Sequence, residues 1–122
     1  MSLEISTRES GGITIVDLEG KATIGADNDL LNSSLRKLIS GGARNLLLNL
    51  EELTQLDSAG IGTIAGTFVS LNRQGGVLKL LRPRGRVRAA LDALKWFDYI
   101  SSFQDENQAL ASFKAEGHAA GT

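Results

Sequence analysis

Ser58 stands in the run Leu56-Asp57-Ser58-Ala59-Gly60-Ile61-Gly62, a hydroxyl next to a carboxylate where an apolar stretch gives way to a helical pattern. A serine in that setting can be an activated nucleophile, a helix cap, or the acceptor of a group transferred by another protein. Nucleophilic catalysis needs a base beside the hydroxyl. The single histidine, His118, lies in the small-residue tail His118-Ala119-Ala120-Gly121-Thr122. The absence of cysteine removes thiolate nucleophiles, thiolate metal sites and disulfides. The chain therefore reads as a protein acted upon, not an enzyme, with no metal and no cofactor of its own.

Two roles remain for the Ser58 turn, and they are compatible. Asp57 or Ser58 can cap the following helix by satisfying backbone donors that lack an intrahelical partner. A helix N-terminus also favours a phosphate through free N–H groups and the positive end of the dipole. Phosphorylation would add about -1.5 to -2 charge beside Asp57, enough reason for a docked acidic or apolar partner to leave. The outward face of the same helix is expected to carry Gly62, Thr63, Gly66, Thr67 and Ser70. Each mid-helix glycine costs ~1 kcal/mol relative to alanine, so close packing against the protein or a low-relief docking surface must compensate.

The elements that would hold this turn follow from periodicity. Leu3-Glu4-Ile5-Ser6-Thr7 alternates, turns at Gly11-Gly12 and returns as Ile13-Thr14-Ile15-Val16-Asp17-Leu18, a hairpin that Gly20 is predicted to end. After Asp27-Asn28-Asp29, residues Leu30, Leu31, Leu35, Leu38 and Ile39 recur at helical spacing and Gly41-Gly42 follows. Leu46-Leu47-Leu48-Asn49-Leu50 is nearly continuous apolar sequence, as in a strand covered on both faces. Ile61, Ile64, Ala65, Phe68 and Leu71 define a second helix that stops at Gly75-Gly76. Val77-Leu78-Lys79-Leu80-Leu81 is a further strand. Pro83 is predicted to open a third helix with Val87, Ala90, Leu91 and Leu94 inward. Trp96, Phe97, Tyr99 and Ile100 are predicted to pack that helix and a short strand into the core. Asp105 and Gln108 have the spacing of a capping box for a last helix. Strands separated by helices imply a parallel or mixed sheet with right-handed crossovers.

Competing motifs are thinner. Gly60-Ile61-Gly62-Thr63-Ile64-Ala65 fits the loose GxGxxG/A pattern, yet the next strand ends at Leu80-Leu81-Arg82 without the acidic residue that would hold a ribose. Arg82-Pro83-Arg84-Gly85-Arg86-Val87-Arg88 is the only basic cluster; it reads as a solvated loop, with anion binding as the alternative. At 122 residues and net charge -1 the chain suits one domain with no global pull toward nucleic acid or a membrane surface. No apolar run approaches the ~20 residues of a membrane span and no signal-like N-terminus is seen, so a cytoplasmic location is expected.

Leu48-Asn49-Leu50-Glu51-Glu52-Leu53, then Leu56-Asp57-Ser58-Ala59-Gly60-Ile61-Gly62, then Gly75-Gly76-Val77-Leu78-Lys79-Leu80, together resemble the STAS domains of bacterial anti-sigma-factor antagonists, over roughly Leu3 to Phe113. The resemblance implies an α/β fold: one STAS-type domain over residues 1–116, a mixed sheet of four to five strands flanked by about four helices, and a flexible tail over 117–122. It implies that Ser58 is phosphorylated by an anti-sigma factor that is also a serine kinase, bringing its own ATP and magnesium, and that a serine phosphatase reverses the modification. The unphosphorylated antagonist, a monomer when free, binds the anti-sigma factor and so releases a sigma factor. The contact residues implied are Asp57, Ala59, Gly60, Gly62, Thr63, Thr67, Thr23 and Ile24, with Asp57 orienting the hydroxyl and Thr63 and Thr67 extending the face. Ala59 stands where many members have a second hydroxyl, leaving Ser58 alone in the motif. Thr23 stands near a common aspartate, so the partner's charge is expected to differ. The alternative is a scaffold or ligand-binding STAS module that reads a nucleotide or lipid headgroup through the arginines.

Overall fold

The computed structural model describes residues 2–121, with side chains as far as Lys114. The order is β1 (Glu4–Ser10), β2 (Ile13–Ala22), α1 (Ala26–Ser40), β3 (Asn45–Leu56), α2 (Ser58–Arg73), β4 (Val77–Leu81), α3 (Gly85–Ala93), a 3-10 turn at Trp96–Asp98, β5 (Ser102–Phe103) and α4 (Glu106–Gly121). The strands lie side by side in chain order; β1 is antiparallel to β2 and the remaining neighbours are parallel. Crossovers of one hand, all stepping the same way across the sheet, place their helices on one face. Accordingly Leu31, Leu35 and Ile39 of α1, Ile61, Ile64 and Leu71 of α2, and Val87 and Leu91 of α3 share one core with Val16, Leu48, Leu50 and Leu80.

The opposite face is covered by α4. Ala109 and Phe113 pack there on Ile13, Ile15, Leu47 and Leu81, which is why the Leu46 to Leu50 run has no polar face until Asn49. Lys79 is buried on this side; its ammonium donates to Ser112 Oγ at 2.8 Å and lies over the Phe103 and Phe113 rings. A buried charge requires such partners. At the start of α4, Arg8 donates to both Asp17 (Nε to Oδ2, 2.7 Å) and Glu106 (Nη2 to Oε1, 2.8 Å), and Asn49 Nδ2 donates to Asp17. This network joins β1, β2, β3 and the start of α4.

Several boundaries differ from the sequence expectation. Gly20 does not end β2: the strand shifts register there, with φ of 102° at Gly20, and continues to Ala22. A Cβ at Gly20 would collide with the backbone oxygen of Ser2, so this glycine admits the N-terminal segment and a bulge rather than a turn. β3 likewise runs past Leu50 to Leu56. Pro83 precedes α3, whose first residue is Gly85. Leu94 lies just past α3 and is 57% exposed, Leu30 is 44% exposed, and Tyr99 is 68% exposed; Trp96, Phe97 and Ile100 do pack against the core. Asp105 caps α4 by accepting the Gln108 N–H. The expected tail at 117–122 falls largely within α4, on residues whose side chains lie outside those described.

Candidate functional site

The Ser58 turn is built by Asp57. This residue is the N-cap of α2, with extended backbone, and its Oδ1 accepts the N–H groups of Ala59 at 3.0 Å and Gly60 at 3.1 Å. Its Oδ2 accepts the Ile24 N–H at 2.8 Å, from the loop between β2 and α1. Three backbone donors favour the ionised form, so the Asp57 carboxyl is held below the usual carboxylate range, first by Ile24 and then by Gly60, with partial opposition from desolvation and a lesser contribution from Ala59. Asp57 therefore does not orient the Ser58 hydroxyl, contrary to the sequence expectation. Its two oxygens are committed to main chain.

Capping by Asp57 leaves Ser58 free. Ser58 is the first residue of α2, it is exposed, and among the described residues its hydroxyl has no hydrogen-bond partner. The donors at the helix mouth that would receive a phosphate are already used at Ala59 and Gly60. A phosphoryl group on Ser58 would thus retain the helix dipole but face the Asp57 carboxylate, concentrating negative charge at the surface.

The structure brings Thr23, Ile24, Asp57, Ser58 and Ala59 together. Thr23 is half-buried and its carbonyl accepts the Asn28 N–H at 3.1 Å, near the start of α1; Ile24 is 81% exposed in the loop that Asp57 holds. Gly62 is exposed one helical turn after Ser58, and Gly66 is exposed one turn later. A Cβ at either would meet nothing within 4 Å. Internal packing does not explain these two glycines.

Two expected contact residues are buried rather than exposed. Gly60 is buried, and a Cβ there would collide with the Ala22 carbonyl and Leu56 Cδ1, so it serves the approach of α2 to the end of β2. Thr67 is buried against α1, and its hydroxyl donates to the Thr63 carbonyl at 2.8 Å. Thr63 is half-buried and donates to Asn28 Oδ1 at 2.7 Å, clipping α2 to α1. Part of the small-residue face is thus a helix–helix seam. The sequence does not single out Asn28 or Arg36: the first accepts the Thr63 hydroxyl, and the second lines, with Ala59, Gly62 and Gly66, a shallow groove of about 320 Å³ between α1 and α2.

The arginines are mostly engaged elsewhere. Arg82 pairs with Glu51 at 3.3 Å and donates to the Gln104 carbonyl, Arg84 lies 3.9 Å from Glu51, and Arg88 stacks over Phe97. They form a dispersed surface rather than a convergent anion cradle.

Comparison with known proteins follows the same lines. The STAS domain family model matches residues 4–109. The anti-sigma F factor antagonist of Paenibacillus polymyxa is 25% identical over 115 residues, 93% of this chain and 97% of that protein. In fold, the chain is similar to an anti-sigma factor antagonist from Mycobacterium paratuberculosis (TM-score 0.79, 16% identity, 91% of this chain and 93% of that one). It is also similar to SpoIIAA, both unphosphorylated (TM-score 0.78, 20% identity, 92% and 97% covered) and phosphorylated (TM-score 0.71, 19% identity, 90% and 99% covered). With the family model spanning both the sheet and the Ser58 turn, this chain belongs to the STAS domain family.

Proposed function

We propose that this protein is an anti-sigma-factor antagonist whose binding is switched by phosphorylation of Ser58. Unphosphorylated, it binds an anti-sigma factor through Ile24, Ala59, Gly62 and the exposed part of α2, and the sigma factor is freed for transcription. The anti-sigma factor is itself a serine kinase that brings ATP and magnesium. The Ser58 oxygen attacks the γ-phosphorus, the bond to the ADP oxygen breaks, and the hydroxyl proton passes to a base on the kinase. A serine phosphatase returns the chain to its binding form. The setting is cytoplasmic, and among the described residues no helix is long and apolar enough to cross a membrane.

One observation carries this reading: Ser58 is an exposed hydroxyl at a helix mouth whose capping work is done entirely by its neighbour Asp57. A serine there has no local structural duty. Its modification changes surface charge and leaves the fold alone, as a switch of partner affinity requires. The likeness to an antagonist by sequence and to antagonists by fold supports the choice of partner class.

The test is titration of an anti-sigma kinase with the unmodified chain, Ser58→Ala and Ser58→Asp. Ser58→Ala is expected to bind within threefold of the unmodified chain and Ser58→Asp at least tenfold more weakly. Equal binding by all three would contradict the proposal.

A further inference from the structure

β3 has 12 residues and β4 only 5. β4 pairs with β3 from Asn45 to Asn49, opposite Val77–Leu81, and then the chain turns away. Arg82 adopts φ of 51° and donates its N–H to the Phe103 carbonyl at 2.7 Å, on β5. On its other side β3 stays paired with β2 as far as Leu56. Among the described residues, therefore, the outer edge of β3 from Glu51 to Gln55 has no strand beside it. An open groove of about 630 Å³ runs there, lined by Glu51, Glu52, Leu53, Thr54 and Gln55 with Lys21 and the Arg84-Gly85-Arg86 start of α3. Side chains alternate faces along a strand. Five consecutive residues lining one groove means that the groove looks onto the backbone edge itself.

We infer that this edge is a strand-addition site for an extended, carboxylate-bearing segment of a partner protein. The Glu51 N–H is already given to Asn49 Oδ1, and the main-chain groups beyond it that face the groove select a peptide over a small anion, because only another backbone can pair with them in register. The charge selects the peptide's composition. Lys21, Arg84 and Arg86 line the groove against the carboxylates of Glu51 and Glu52, and Glu51 is already paired with Arg82 from outside it and lies 3.9 Å from Arg84. The surplus is positive and concentrated where α3 begins, so an acidic side chain on the added strand is favoured there and a basic one opposed. A second copy of this chain would bring the same positive surplus to the seam and is disfavoured as occupant. The inference does not depend on the role of Ser58.

The experiment selects seven-residue peptides from a random phage-displayed library against the full chain, then titrates synthetic versions into isotope-labelled protein followed by NMR. The selected peptides are expected to be enriched in Asp and Glu, to shift the backbone amides of Glu51–Gln55, and to slow their hydrogen exchange at least tenfold. N-methylation of alternate peptide amides is expected to weaken binding at least tenfold. Arg86→Glu, at an exposed position, is expected to do the same while leaving the other amide signals in place. Peptides that show no acidic enrichment, map to another surface, or tolerate N-methylation would overturn the inference. So would equal shifts at Glu51–Gln55 from inorganic phosphate alone, which would make the groove a plain anion site.

Discussion

The Asp57 carboxylate accepts the Ile24 N–H at 2.8 Å across 33 positions of sequence, while its other oxygen caps α2 through Ala59 and Gly60. One side chain thus fixes both the helix that carries Ser58 and the loop that carries the most exposed apolar residue beside it. The geometry of the proposed partner face is thereby set within the free chain. Such preorganisation reduces the ordering cost of association.

If Asp57 is the clip, Asp57→Ala should loosen both segments. The Ile24 and Gly60 amides are expected to exchange at least tenfold faster by NMR, with loss of partner affinity even when Ser58 is unmodified. Unchanged exchange at Ile24 would show that the loop holds itself.

The glycines of α2 separate fold from contact. Gly60→Ala must push against the Ala22 carbonyl and Leu56 and is expected to cost about 1–3 kcal/mol, as overpacking does. Gly62→Ala adds a methyl group to open space and should raise stability by up to ~1 kcal/mol through helix propensity, yet weaken partner binding. Denaturant unfolding and a binding titration on both variants check the contrast.

Thr63 is a seam residue, since its hydroxyl donates to Asn28 across α1 and α2. Thr63→Val is expected to cost about 1 kcal/mol, the net worth of one hydrogen bond. Thr63→Arg should also loosen the seam between α1 and α2. Thermal unfolding of both variants would measure this.

The pH response follows from Arg8. Its guanidinium, hydrogen-bonded to Asp17 and Glu106, holds both carboxyls below their usual range. A depressed folded pKa contributes stability that is full above the unfolded value, about 4, and is lost as pH falls through the folded values. Arg8→Met is expected to lower stability at pH 7 by about 1 kcal/mol, the upper end for a solvent-exposed network, and to flatten the decline below pH 4. Urea midpoints measured from pH 3 to 7 on both proteins decide it.

Much of this was legible in the chain. The Leu46 to Leu50 run announced a strand covered twice, and Asp57-Ser58 followed by helical spacing announced a cap on α2, with the choice of Asp57 made only by the structure. Gly20 misled because a glycine marks a turn and a close backbone approach with the same letter; only its neighbour in space, Ser2, distinguishes them. Thr67 misled for a related reason. Small residues on a helix fit either a docking face or a helix seam, and a threonine can enter the seam because its hydroxyl bonds back to its own helix. The clip from Asp57 to Ile24 has no sequence signal, since a backbone N–H partner is independent of residue type.

The central claim is tested most directly by incubating the full chain with an anti-sigma serine kinase and ATP, mapping the phosphate, and measuring kinase affinity before and after. A single phosphate on Ser58 with at least tenfold weaker binding is the outcome expected. A phosphate elsewhere, or a Ser58-phosphorylated chain that binds as tightly as the unmodified one, would contradict the account.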